Sequence, residues 1–206
     1  MVIEGCRMNA VERFAVEAVA FREWAARGTD SGEIAARNAL LCITRLYLAA
    51  LELPPLCWDD VADQPDAERI SDAEWRAVFS AAGRLPLDFY GEVFDLLIVP
   101  PEEPSIGSLS DDIAGIYRDV VSGLVEFESG RRAAALWEWG FHFRHHWGVH
   151  ATGAIRALHA WLAANAFDRL ASEGSPSLPE VDGCRREPLD RIHPAALHDH
   201  AGISSW

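Results

Sequence analysis

Between residues 136 and 162 the chain reads LWEWGFHFRHHWGVHATGAIRALHAWL, with four of its eight Trp and five of its eight His. Two spacings in this stretch could do chemistry. His146 and His150 form HxxxH, which sets two imidazoles one turn apart on the same side of a helix, as metal sites in helical bundles require. Arg144 and His150 have the R-x(4–6)-H spacing of small metal-independent ribonucleases. A guanidinium, with five fixed donors, on an otherwise apolar helix face points to a specific carboxylate or ligand. The preceding helical stretch offers Asp112 and Asp119 for that role. The candidate polar cluster is therefore Arg144, His146, His150, Asp112 and Asp119 beside Trp147, and the candidate metal set is His146, His150 and Asp112.

The elements that must position these groups follow from period and punctuation. At about 100° per residue, Trp137, Trp139, Phe143, Trp147, Ala151, Ala154, Ile155, Leu158, Trp161 and Leu162 share one apolar arc, and Glu138, His142, His145 and Arg156 fall on the hydrated side. Gly140, Gly148 and Gly153 interrupt the segment; they are read as room for a neighbouring helix beside the Trp rings, with a kink near Gly148 as the alternative. A helix over 110–128 carries Ile113, Ile116, Val120, Leu124 and Phe127 inward, and Ser129–Gly130 turns the chain back on itself. Two helices joined by so short a turn are antiparallel neighbours. Counting outward from that turn sets Arg144 about one helical turn from both Asp112 and Asp119. The expectation is a buried Arg144 paired with one of them, and His146 and His150 toward the Asp111 and Asp112 end.

The rest of the chain is read as helices too. Asn9 caps a helix ending at Gly28, and Asp30 with Glu33 resembles a capping box for a second, stopped by Pro54 and Pro55. The acid-rich stretch before Ile70 lacks the spacing of a calcium loop. Ser71 and Glu74 open a short helix closed by Gly83. Residues 87–98 read as an amphipathic helix, with Phe89, Val93, Leu96 and Leu97 opposite Asp88, Glu92 and Asp95; that carboxylate stack is taken as a solvated face rather than a metal site. Ser110 is the expected cap of the next helix. The architecture expected is all-α, a bundle of about six helices over residues 9–172 without a sheet, then an irregular Pro-rich tail over 173–206, in which His193, His198 and His200 face solvent.

Composition bounds the function. A net charge of −14 argues against a general grip on phosphate backbones. All eighteen basic residues are Arg. Cys6, Cys42, Cys57 and Cys184 form no CxxC, so neither a zinc knuckle nor a redox pair is expected. The N-terminus lacks a basic start and apolar core, Met8 is an alternative start, and no charge-free run reaches eighteen apolar residues; an acidic, cytoplasmic protein without a membrane span is expected.

Three stretches, LPLDFYGEVFDLL (85–97), SLSDDIAGIYRDV (108–120) and WEWGFHFRHHWGVHATGAIRALH (137–159), resemble a bacterial family, domain of unknown function 5063. With the N-terminal helices, the resemblance covers roughly residues 9–165. It implies a compact helical domain and carries no activity, cofactor or partner; Gly140 stands where the resemblance leads one to expect Arg. The reading favoured is a helical binding or interaction module for a protein or small molecule. The alternatives are a metal-dependent enzyme or metal-binding bundle, and a metal-independent ribonuclease using Arg144 and His150. No cofactor is assigned.

Overall fold

The computed structural model describes residues 8–28, 31–55, 70–93, 95–101 and 103–172, with side chains through residue 165. The core and the site lie within one compact unit, Met1–Arg169. The expected tail, the acid-rich stretch 56–69, Asp30 and three of the cysteines lie outside the described residues.

Helix α1 (Ala10–Arg27) opens on a complete capping box: the Asn9 side chain accepts from the Glu12 amide at 2.9 Å, and the Asn9 amide donates to Glu12 Oε2. Two of its orphan amides are thereby satisfied. Its stripe of Phe14, Ala18, Phe21 and Ala25 is buried, and Gly28 ends it at φ 80°. Helix α2 (Glu33–Leu51) starts one residue after Gly32, which supplies no side-chain cap. By length and composition α2 could cross a membrane, but Ala35, Ala36, Ala39, Ile43 and Leu46 are buried where it packs against α1. In α3 (Asp72–Ala82) Ser71 caps the Glu74 amide. The Glu74 carboxylate does not return to the cap; it accepts from the Tyr117 hydroxyl at 2.8 Å, and burial together with that bond pushes the phenol up to about 12.

Helix α4 (Leu109–Glu128) is the axis of the unit, packed by α1, α3 and the helix after it. Its cap is Ser108, two residues before the expected Ser110. After the Ser129–Gly130 turn, with Gly130 at φ 83°, the chain returns as α5 (Arg132–His142), one π-helical turn (Phe143–Trp147) and α6 (Gly148–Ser172) in unbroken succession. Counting that rod once, the described residues hold five helices. The turn is clasped by Glu126, fully buried, whose carboxylate pairs with Arg131. Trp139 seats its indole against Gly123, where a Cβ would collide with it, and donates from Nε1 to the Val120 carbonyl at 3.0 Å. Phe14, Phe143 and Trp147 extend the aromatic core, where burial of such large rings supplies much of the stabilisation.

Residues 87–98 correct the expectation of a sixth helix and no sheet. Phe89–Glu92 is strand β1, paired antiparallel with β2 (Ser105–Ser108) in the register Tyr90 to Gly107 and Glu92 to Ser105. Tyr90 and Glu92 point inward while Phe89 and Ile106 are exposed, so the alternation is polar-in and apolar-out. Hydrophobic periodicity could not find a strand whose buried face is the polar one. Asp88 is not solvated either: it accepts from the Ser110 amide at 2.9 Å and from the hydroxyls of Ser108 and Ser110, pinning the hairpin to the start of α4.

Two arginines on the rod should behave oppositely. Arg131→Ala leaves the buried Glu126 carboxylate without its guanidinium, and urea unfolding is expected to show a loss of about 3 kcal/mol. Arg144→Ala, at an exposed position, should stay within about 0.5 kcal/mol of the parent.

Candidate functional site

On α4, Asp112 and Asp119 are seven residues apart, two turns, and so lie on one face; they are only 4% and 6% exposed. A buried carboxylate must be paired or it is strongly destabilising, and the returning rod supplies the partners. His150 Nδ1 lies 2.8 Å from Asp112 Oδ1, and His146 Nδ1 lies 2.6 Å from Asp119 Oδ2. One turn back, His142 stands between Asp119, at 3.7 Å, and Glu138, at 3.1 Å. From the hairpin, the Tyr90 hydroxyl donates to Asp112 Oδ2 at 2.6 Å.

The π turn is what brings these imidazoles into line. In an α-helix, groups four residues apart drift about 40° per step, which is why the wheel placed His142 on the hydrated side. The wider π turn, with its i to i+5 bonding, advances less per residue and cancels that drift. Glu138 and His142 are consequently half-buried at the site rather than solvated. Gly148 is tied to the same turn, since a Cβ there would collide with the Phe143 carbonyl. The close approach at Gly148 is therefore to its own helix, while Gly153 receives Tyr90 and Glu92 of the hairpin rather than another helix.

His150 meets Asp112, but His146 meets Asp119 rather than the expected Asp111 and Asp112 end, and two members of the expected cluster are elsewhere. Arg144 is exposed; its Nε donates to the Gly140 carbonyl of its own helix at 3.2 Å, and among the described residues it pairs with neither aspartate. Residues two apart on a helix do not share a face, so Arg144 could not meet the partner of His146. Trp147 lies in the core, fully buried, with its Nε1–H unpartnered among the described residues. Asp112 is an orienting group on His150 rather than a ligand facing open space.

Each aspartate fixes a tautomer. A carboxylate only accepts, so Nδ1 carries a proton, and Nε2 bears a lone pair in the neutral ring and a second proton in the imidazolium. The two Nε2 atoms face each other at 3.3 Å, the rings inclined at 75°. Both imidazoles lie over the bare backbone of Gly115, where a Cβ would touch His150 at 3.4 Å. Beside them opens a cleft of about 370 Å³ between hairpin and rod, lined by Glu92, Ser108, Asp111, Asp112, His145 and Val149 together with the pair. Burial, then the nearby Asp112 charge, hold the Glu92 carboxyl above its ordinary value, and that carboxylate accepts no hydrogen bond among the described residues. Burial and the Asp112 bond keep the Tyr90 phenol protonated far beyond its usual range. The Asp112 bond raises the His150 pKa, opposed in part by burial. Sequence reasoning missed Tyr90, Glu92, His142 and Gly115; the alternation of Asp88, Tyr90 and Glu92 was the available signal.

The sequence model of a family described as domain of unknown function (DUF5063) matches residues 9–164. The chain belongs to the DUF5063 family. A crystal structure of a Bacteroides fragilis protein, determined by a structural genomics consortium, is similar to this DUF5063 chain at a TM-score of 0.58 and 21% identity, covering 76% of this chain and 97% of that one. At that identity the likeness shows the fold. No functionally curated protein matches.

Two measurements check this geometry. Raised in the fold, the His150 pKa makes the protonated pair with Asp112 stabilising below the ordinary imidazole value of about 6.5, with that contribution lost as pH rises through the folded value. An NMR titration should place the His150 midpoint above that of an unperturbed histidine, and the corresponding decline in stability with pH should vanish in His150→Ala. Gly148→Ala should lower thermal stability, since the π turn must rearrange, and should alter the chemical shifts of His142, His146 and His150.

Proposed function

We propose that this DUF5063 protein is a helical binding module whose ligand is a small cation, received in the cleft between the hairpin and the π turn. The observation that carries this reading is the lining: Glu92 and Asp111 line the cleft with three imidazoles, Asp112 stands behind His150, and no arginine is among the lining residues. Clefts lined by one sign of charge focus the field and concentrate the counter-ion. The crowded, hydrogen-bond-poor Glu92 carboxylate is one that a positive ligand would relieve. A volume of about 370 Å³ suits a small molecule or ion better than a protein segment.

A second reading, acid–base catalysis, is favoured by the chain Tyr90, Asp112, His150, in which an oriented imidazole is backed by a carboxylate. A ribonuclease built on Arg144 and His150 loses its support, because Arg144 does not line the cleft.

The test uses the full chain, with histidine resonances followed by NMR while spermidine, guanidinium or zinc ion is added, and phosphate as the opposite charge. At least one cation should shift the His145, His146 and His150 signals saturably, and Glu92→Gln combined with Asp111→Asn should weaken that response about tenfold or more. No response to any of the cations, or saturation by phosphate instead, would overturn the reading.

A further inference from the structure

We propose that the cation is a transition-metal ion of the zinc type, held by Nε2 of His146 and Nε2 of His150; this rests on the reading of the cleft as a cation site. Nε2 of His146 and Nε2 of His150 stand 3.3 Å apart, close enough to share a proton when either ring is charged, and a metal ion can take that proton's place. Zinc–nitrogen bonds of about 2.0–2.1 Å meeting at a tetrahedral angle put the two nitrogens about 3.3–3.4 Å apart. The pair therefore already stands at the spacing a tetrahedral ion imposes.

The surroundings of the pair have the form that metal-binding histidines take. Such imidazoles donate their other nitrogen to a carboxylate, which fixes the ring and raises its basicity. Here Asp112 and Asp119 do this for His150 and His146 separately, each through Nδ1 and each from a buried position on α4. Tyr90 holds the second oxygen of Asp112, so that carboxylate is itself anchored. Gly115 leaves the space beneath the Nε2 atoms free of side chain. Imidazole nitrogen selects zinc and its neighbours over calcium or magnesium, which prefer oxygen.

Among the described residues no three His, Cys, Asp or Glu side chains already stand as a metal-binding group. The third position is assigned to Glu92, which lines the same cleft and whose carboxylate accepts no hydrogen bond among the described residues. The fourth is left to water or to a ligand entering the cleft, the open position that distinguishes reactive from purely structural zinc.

The full chain, free of any tag and dialysed against chelator, is titrated with zinc ion in competition with a chromophoric chelator, and separately with cobalt(II) while its visible absorption is recorded. Binding of about one equivalent per chain is expected, with the intense visible band of four-coordinate cobalt in the unaltered protein. His146→Ala and His150→Ala should each weaken zinc at least about 100-fold, and Asp112→Asn about 10–100-fold. His159→Ala, exposed on the same rod and outside the cleft, should leave zinc affinity unchanged. Less than about a tenth of an equivalent of zinc on the unaltered chain would overturn the proposal. So would unchanged affinity in the His146→Ala, His150→Ala double variant, or cobalt bound without a four-coordinate spectrum. The cobalt spectrum needs no variant, so the outcome stands even where a substitution unfolds the chain. Should spermidine shift the cleft histidines while zinc fails to bind, the metal assignment falls and the cation cleft survives; should neither act, both fall.

Discussion

Two buried carboxylates on α4 govern how this unit is put together. Asp112 and Asp119 occupy the face of the central helix that the returning rod must cover, and neither can be left unpaired there. Their partners come from the one helix that runs antiparallel to α4: His146 and His150, one turn apart, meet aspartates two turns apart, with His142 and Glu138 continuing the line toward the Ser129–Gly130 turn. The polar seam is thus an extended structure, and the cleft is its open end.

That seam competes with the aromatic core for the same stretch of chain. Trp139, Phe143 and Trp147 must face Phe14 on one side of the rod, while four polar residues spaced by four must face α4 on the other. A regular α-helix lets a line at that spacing wind slowly around its surface. The π turn at Phe143–Trp147 absorbs the winding where the histidines are densest, and such turns recur at functional sites for this kind of reason. Gly148 is the residue that lets the backbone take that shape.

The hairpin adds what helices alone do not provide. It is short, its outer face carries exposed Phe89 and Ile106, and its inner face brings Tyr90 and Glu92 against Gly153 of α6. Asp88 fastens it to the first turn of α4, so the wall of the cleft and the aspartates behind the histidines belong to one hydrogen-bonded unit. A ligand that draws in Glu92 therefore acts on the same element that steadies Asp112 through Tyr90.

Much of this was legible in the residues taken alone. Asn9, Ser71 and the Ser129–Gly130 turn marked real boundaries, because caps and turns are local and depend on few neighbours. The apolar arc through Trp139, Trp147, Ala151 and Leu158 marked the buried side of the rod, and the turn made His146, His150, Asp112 and Asp119 neighbours. Tertiary structure decided the rest. It moved Arg144 to solvent, drew Glu138 and His142 into the seam, and made a hairpin of a stretch that reads as an amphipathic helix. Two reasons account for these outcomes. A wheel with a uniform advance per residue cannot register one wider turn, and a rule that buries apolar groups cannot recognise a segment that turns its tyrosine and glutamate inward because two aspartates and two imidazoles are waiting there.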